Sequence, residues 1–320
     1  MLFPNARLLV GVFILCPLLL CLGGCATAPQ TRVLLNAAPA NLPSHVELAD
    51  VPFFAQEAFQ CGPASLAMTL NAAGIAATPE ALKPALYLPD RRGSLQVETL
   101  AAARRQGAVA YQLAPKLHDV LSEIATGTPV VVLQNLALSW YPVWHYAVVV
   151  GYDIGRAEII LRSGPERRQI LPMSTFEHTW ARGNHWAMVA LPPGKVPATA
   201  EADSFVAATS ALEKIGDAAN VQATYMAALK RWPKNLSAQI GVGNSAYRMG
   251  DLARAESAFH QAALDHPDSV AALNNLAQTL ADQGRYQEAA KTARLAVSLG
   301  GPLLPTAQQT LADIEQKMVK

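Results

Sequence analysis

The sequence predicts an α+β domain over residues 48–193, followed by an all-α array of paired helices over residues 205–320. Two observations carry this prediction. In the first region, helical periodicity gives way to β-branched and apolar strands. In the second region, small residues recur every 34 positions within helical sequence. The net charge of +1 has no basic block behind it, so nothing favours a nucleic-acid partner.

The N-terminal segment reads as a leader. Arg7 precedes the apolar run "LLVGVFILCPLLLCL", which ends in Leu22-Gly23-Gly24-Cys25. This resembles the lipobox of bacterial lipoproteins, which implies that residues 1–24 are a signal peptide and that Cys25 carries lipid. A plain membrane anchor or a buried helix is the alternative. Because Ala26 follows instead of Asp, we expect anchoring at the periplasmic face of the outer membrane.

Cysteine usage then isolates one thiol. Cys16 and Cys21 would leave with the signal peptide and Cys25 would be lipidated, so Cys61 would remain alone. Structural cysteines in an oxidising compartment are normally paired. An unpaired Cys61 therefore suggests a function, and the alternative is an inert, buried small hydrophobe.

The chain between these landmarks divides by pattern. Residues 25–47 lack periodicity and are interpreted as a tether, and residues 194–204 as a small-residue linker. Ser174 with Glu177 resembles a helix capping box. Helices are predicted over Cys61–Asn71, from Thr78, over 95–106 and around Leu117–Ile124, and strands over 129–135, 145–152, 157–162 and 186–191.

The C-terminal region repeats itself. Its 34-residue spacing joins Gly216, Gly250 and Gly284, then Ala228, Ala262 and Ala296, then Pro233, Pro267 and Gly301. This pattern resembles the tetratricopeptide repeat, which implies a stack of helix pairs that binds a protein or peptide. A generic helical bundle is the alternative.

Cys61 is predicted to stand at a helix start, where unpaired backbone N–H groups stabilise a thiolate. That position predicts a lowered thiol pKa. A nucleophilic cysteine also needs a base, usually histidine. His145 and His185, each at the head of a strand, are the candidates.

Two stretches, "VPFFAQEAFQCGPASLAMTL" and "HYAVVVGYD", resemble the bacteriocin-processing family of cysteine peptidases, the double-glycine leader peptidases, in the lipoprotein form with tetratricopeptide repeats. The resemblance implies a papain-like fold, Cys61 as nucleophile and His145 as base. It also implies that Gln56, which fits better than Gln60, helps hold the oxyanion. The backbone N–H of Cys61 would be a second donor.

The residue that orients the histidine departs from the family pattern, which has an Asp there. Asp153 is eight residues beyond His145, about 26 Å along a strand, and is therefore too far. A turn after Asp153 would place Ser163 opposite Tyr146, beside His145. Ser163 supplies a hydroxyl but no charge, and Glu166 would supply a carboxylate only if its loop bends inward.

The sequence thus predicts a lipid-anchored periplasmic thiol peptidase that acts on a peptide or protein, with repeats that recruit the substrate or a partner. No cofactor and no metal are implied, since histidines and carboxylates do not cluster at ligand spacings. The other hypothesis is a non-catalytic adaptor that binds peptides, and neutral Ser163 favours it. Trp140, Tyr141 and Trp144 either line a substrate groove or form a packed loop.

Overall fold

A computed structural model describes residues 28–37, 39–56, 60–89 and 93–319. The predicted signal peptide and Cys25 lie outside the described residues. Within them, no helix combines the length and hydrophobicity needed to cross a bilayer.

The first element corrects the prediction of a tether. Helix α1, Pro29–Asn36, forms there and is held at its start by Glu177, whose carboxylate accepts hydrogen bonds from the backbone N–H groups of Gln30 (3.0 Å) and Thr31 (2.6 Å). Glu177 therefore caps α1 and does not form the predicted box with Ser174, because its own helix begins after Pro172 with no side-chain cap. The pattern was local, whereas the carboxylate's partners lie about 146 residues away along the chain.

Seven antiparallel strands form one sheet, in the order β2-β7-β3-β4-β5-β6, with β1 paired to the far end of β4. The strands are β1 His45–Glu47, β2 Val109–Gln112, β3 Val130–Asn135, β4 Trp144–Asp153, β5 Glu158–Ser163, β6 Glu166–Pro172 and β7 Ala187–Leu191. The four predicted strands are present. The sequence pattern does not reveal the three others, because β1 and β2 are short and the exposed β6 lacks a buried face.

The remaining helices of this domain match the predicted ones within a residue or two. They are α2 Cys61–Ala72, α3 Pro79–Leu86, α4 Gln96–Arg105, α5 Leu117–Ala125 and α6 Met173–Ala181. Gly74 and Gly107 follow two of them at φ +76° and +81°, a left-handed conformation that favours glycine.

Helices cover both faces of the sheet. Because side chains alternate along a strand, Val131 and Leu133 contact the core that includes α2, α3 and α4. Val130 and Val132 contact the opposite core, which includes α5 and α6. This arrangement is the predicted α+β domain.

The C-terminal region is entirely helical, as predicted. Its helices are α7 Ala202–Glu213, α8 Ala218–Arg231, α9 Leu236–Arg248, α10 Leu252–Asp265, α11 Val270–Asp282, α12 Tyr286–Leu299 and α13 Leu304–Met318. The repeating alanines Ala228, Ala262 and Ala296 are all fully buried. Gly250 and Gly284 share φ values of +77° and +79°, but Gly216 is not among the positive-φ glycines, so the first repeat departs from the pattern.

The segment expected to be a linker is instead fixed between the two regions. Glu123 on α5 is buried and accepts hydrogen bonds from the backbone N–H groups of Ala198 (3.2 Å) and Thr199 (2.8 Å). Phe205 on α7 is fully buried within the same core as the sheet. The sheet domain and the first helices after it therefore share one hydrophobic core.

Candidate active site

Cys61 is the first residue of α2, and its side chain is partly buried. Gln60 occupies the N-cap position without making a side-chain cap, and Pro63 has no N–H to satisfy. Gly62 is required for space, because a Cβ there would lie 2.4 Å from Ser94 Oγ. The Cys-Gly-Pro sequence thus builds a helix start packed closely against the neighbouring loop.

The electrostatics of Cys61 differ from the prediction. Burial raises the pKa of the Cys61 thiol, and hydrogen bonds from backbone N–H groups of Tyr146, Gly62 and Cys61 itself offset this in part. The predicted lowering fails because desolvation disfavours the thiolate more than these donors favour it. The thiol is therefore largely protonated at neutral pH.

His145 lies near the start of β4, directly before the Tyr146 backbone that contacts the sulfur. Its Nε2 is 2.9 Å from Ser163 Oγ, the last residue of β5. Burial lowers the pKa of His145, so the ring is neutral at pH 7. Among the described residues, the hydrogen bond of this ring goes to Ser163 and none joins it to Cys61 Sγ.

The sequence identified the right partner for His145 through a wrong register. The turn joins Asp153 to Glu158, so Tyr152 faces Ile159 and not Ala157, and a β-bulge between Val149 and Gly151 then shifts the later pairs by one, so that Val148 faces Arg162. Ser163 is consequently not opposite Tyr146, yet its hydroxyl still reaches the imidazole. A bulge inserts one unpaired residue that no periodic pattern announces.

Two other candidates lie elsewhere. Glu166 is exposed at the start of β6 and does not take the place of Ser163 beside the imidazole. His185 has a positive φ of 51° and packs edge-on against Trp180 at 4.8 Å between ring centroids. Its position is thus explained by packing at the end of α6.

Gln56 is tied on both sides of its amide. Its Nε2 donates to Ser65 Oγ and to the Tyr146 carbonyl, each at 3.3 Å, and its Oε1 accepts from the Gly164 N–H at 3.1 Å. The sequence expected this amide to face an oxyanion, whereas here it joins α2, β4 and the turn after Ser163. Both donor bonds are long, so an incoming carbonyl oxygen competes with weak partners.

Sequence reasoning missed the backbone and small residues of the site. Ser65, one helical turn after Cys61, donates to the Tyr146 carbonyl at 3.2 Å. Gly164 follows Ser163 at φ +57° and exchanges hydrogen bonds with Gln56. The Ser-Gly-Pro segment signals a turn, but nothing in it announces contact with residue 56.

The aromatic residues before His145 are exposed, so the structure contradicts the prediction that they form a packed loop. Trp140, Tyr141 and Trp144 are 80%, 68% and 52% exposed. In the described part of the chain, no group of three or more histidine, cysteine, aspartate or glutamate side chains could hold a metal ion.

Comparisons with known proteins agree with this architecture. Residues 48–188 match the Peptidase_C39 like family, and residues 243–303 match the tetratricopeptide repeat family. None of the curated proteins matches the chain.

Several solved structures are similar to part of this chain. A candidate C39-like peptidase from Bacillus anthracis has 20% identity and a TM-score of 0.40, with 47% of this chain and 98% of that chain covered. MamA of AMB-1 has 19% identity and a TM-score of 0.32, covering 37% and 64%. MamA of MSR-1 has 16% identity and a TM-score of 0.33, covering 39% and 71%.

The first match covers β2 to β6 and the start of β7, and the second covers α10 to α12 with part of α9. The residues that bear the site, from Gln56 to Ser163, all fall within the first match. This chain therefore contains a Peptidase_C39-like domain, followed by tetratricopeptide repeats.

Proposed function

We propose that this protein is a lipid-anchored thiol peptidase of the cell envelope, with Cys61 as nucleophile and His145 as base. One observation carries the proposal. The helix start at Cys61 brings the sulfur to the Tyr146 N–H, and the neighbouring His145 ring is held at Nε2 by Ser163. A cysteine that merely fills the core needs neither backbone donors at its sulfur nor an oriented imidazole on the residue that precedes one of those donors.

The reaction starts from neutral partners. The proposal uses the tautomer in which Nε2–H donates to Ser163, so that Nδ1 of His145 is the basic nitrogen and takes the proton from Cys61 as sulfur attacks the peptide carbonyl. The N–H groups at the open start of α2 face the developing oxyanion, and Gln56 exchanges its weak bonds to join them. Nδ1–H then protonates the leaving amine, and water hydrolyses the thioester.

Location rests on the leader. The Leu-Gly-Gly-Cys segment ending at Cys25 supports lipidation, and Ala26 supports the outer membrane with the fold in the periplasm. In this proposal the repeats recruit the substrate or a partner protein.

A trapping experiment tests the activity. The full-length protein and a Cys61→Ala variant are expressed with an affinity tag, and envelope proteins bound to each are compared. We expect the wild type to release cleaved products from a peptide library and the variant to cleave none while it retains intact substrate. A variant that cleaves as fast as the wild type would contradict the assignment of Cys61.

A non-catalytic adaptor is the second candidate. The neutral Ser163 where the family has an acid, and the raised thiol pKa of Cys61, favour it. An adaptor would bind the same partners with and without Cys61 and cut none of them.

A further inference from the structure

The loop that joins β3 to β4 carries an unusually exposed apolar surface. This surface, here called the aromatic hairpin, spans residues 136–144 and contains no charged residue. Its exposed apolar side chains are Leu136, Leu138, Trp140, Tyr141, Val143 and Trp144, each between 47% and 80% exposed. A contiguous exposed apolar patch on a folded protein marks an interaction surface.

The hairpin has a defined shape. Asn135, itself buried, accepts hydrogen bonds at Oδ1 from the N–H groups of Ala137 (3.0 Å) and Val143 (2.9 Å). The Leu136 N–H bonds to the Val143 carbonyl, and the Tyr141 N–H to the Leu138 carbonyl. Four backbone N–H groups of the hairpin are thus bonded within it or to Asn135, while its large apolar side chains are exposed.

The N-terminus of the described fold lies close to the base of this hairpin. Glu177 on α6 holds the start of α1. Arg182, five residues after Glu177 and directly after α6, donates from Nε to the Asn135 carbonyl at 3.1 Å. Five helical residues rise about 7.5 Å. The three peptide units between Cys25 and Ala28 can add at most about 11 Å.

The direction of the chain after α1 also indicates that α1 starts near the hairpin. After α1, Ser44 accepts a hydrogen bond from Ile154, and His45 pairs with Asp153, at the end of β4 opposite Trp144. Those ends of β4 are separated by about 30 Å. Because the chain runs from the hairpin end towards the far end, the start of α1 lies towards the hairpin.

A bilayer fits this arrangement better than a folded protein does. Tryptophan and tyrosine have an apolar ring and a polar N–H or O–H, and they concentrate at the lipid–water interface. The hairpin lacks the charges that give protein partners their register, and one anchored cysteine already brings it to a membrane. In the proposed function the lipid on Cys25 tethers the chain, and an inserted hairpin would in addition fix the orientation of the domain on the bilayer.

We infer that the aromatic hairpin inserts into the lipid–water interface of the membrane that holds the N-terminus. This inference rests on the proposed lipid anchor. Trp144 directly precedes His145 at the start of β4. Docking therefore holds the candidate active site at the membrane surface, where it selects peptides or protein tails presented there.

Fluorescence quenching tests the insertion. Full-length protein is reconstituted into vesicles of phosphatidylethanolamine and phosphatidylglycerol that contain brominated lipids, and flotation separately reports attachment. Of the three other tryptophans, Trp180 and Trp186 are buried and Trp232 is partly buried against the core next to the repeats, so lipid quenching would arise chiefly from Trp140 and Trp144. We expect quenching in the wild type and its loss in Trp140→Phe/Trp144→Phe.

A second variant tests the contact itself. Leu138→Ser/Tyr141→Ser should lower quenching at least about twofold, because insertion scales with buried apolar area. Ile215→Ser, which alters an exposed apolar residue in the repeats, is the matched control and should quench like the wild type.

Each other outcome overturns the inference in a different way. Protein that floats without quenching has an anchor but no inserted hairpin. Protein that does not float lacks the anchor as well. Hairpin variants that keep full quenching but lose binding of a soluble peptide would make the hairpin a peptide-binding surface instead.

Discussion

The start of α2 differs from four of the helix starts in the repeats. In the repeats, four helices begin with a side chain that accepts a backbone N–H: Asp217, Asn235, Asp251 and Ser269. At α2, Gln60 makes no such bond, and N–H groups face the sulfur of Cys61 instead. Capping stabilises a helix but occupies the donors that an oxyanion or a sulfur would use. The four caps stabilise their helices in the repeats, whereas the N–H groups at the start of α2 stay available to the sulfur and to an oxyanion.

The two regions also differ in how far their contacts reach along the chain. Gln56 and Gly164 are 108 residues apart and share a hydrogen bond at the site. In the repeats, Arg285 and Glu256 are 29 residues apart, so they bridge neighbouring helix pairs. Damage to a repeat should therefore stay local, whereas the site depends on the whole sheet.

The largest expected effect tests the site directly. His145→Ala should lower peptide cleavage about 10²–10⁴-fold, because it removes the base. Ser163→Ala, which only frees the ring, should cost about tenfold. Ser163→Thr keeps the hydroxyl and should largely restore activity. Equal rates for Ser163→Ala and wild type, measured by peptide hydrolysis, would show that Ser163 positions nothing.

The next prediction concerns the thiol at the uncapped helix start. Iodoacetamide labelling of Cys61, followed by mass spectrometry of its peptide, should rise with pH and still be increasing at about pH 9, because burial raises the thiol pKa above its ordinary value of about 8.5. An unstructured peptide that contains one cysteine is the reference and should level off earlier. A plateau near neutral pH would instead reveal a thiolate–imidazolium pair.

Gly62 in the sheet domain and Gly243 in the repeats both lack space for a Cβ, so their alanine variants can be compared directly. A Cβ at Gly62 would lie 2.4 Å from Ser94 Oγ, and one at Gly243 would lie 2.3 Å from the Phe259 ring. Each alanine variant should lower the free energy of unfolding by about 1–3 kcal/mol through overpacking. Only Gly62→Ala should also change labelling of Cys61.

Ser94→Gly provides the control for that pair. It removes the atoms that the new Cβ would meet, so it should recover stability in Gly62→Ala. If Gly243→Ala altered Cys61 labelling as much, damage in the repeats would not be local.

The smallest expected effect lies at a capped start. Asp251→Ala removes the acceptor of the Arg254 N–H and should cost about 1 kcal/mol in thermal unfolding. Asp251→Asn keeps the acceptor and should cost little. Site labelling should not change in either variant, and a change would contradict the separation of the two regions.

Local signals predicted most of the elements. Gly74 and Gly107 ended their helices, the change to β-branched runs marked the strands, and the 34-residue spacing marked the repeats. These features depend on nearest neighbours in the chain, which a sequence pattern records directly. The α1 helix was not predicted, because its start is capped by Glu177, which lies on a helix distant in the sequence.

The sequence by itself determined the fold class, Cys61 at a helix start and His145 at a strand head. Only the tertiary structure decided the chemistry between them. Burial, which depends on the packing of the whole sheet, overrides the helix start and raises the pKa of Cys61. The position of the turn between β4 and β5, together with the bulge in β4, sets the register in which Ser163 reaches His145. Burial and register are sums over distant contacts, and no local pattern encodes them.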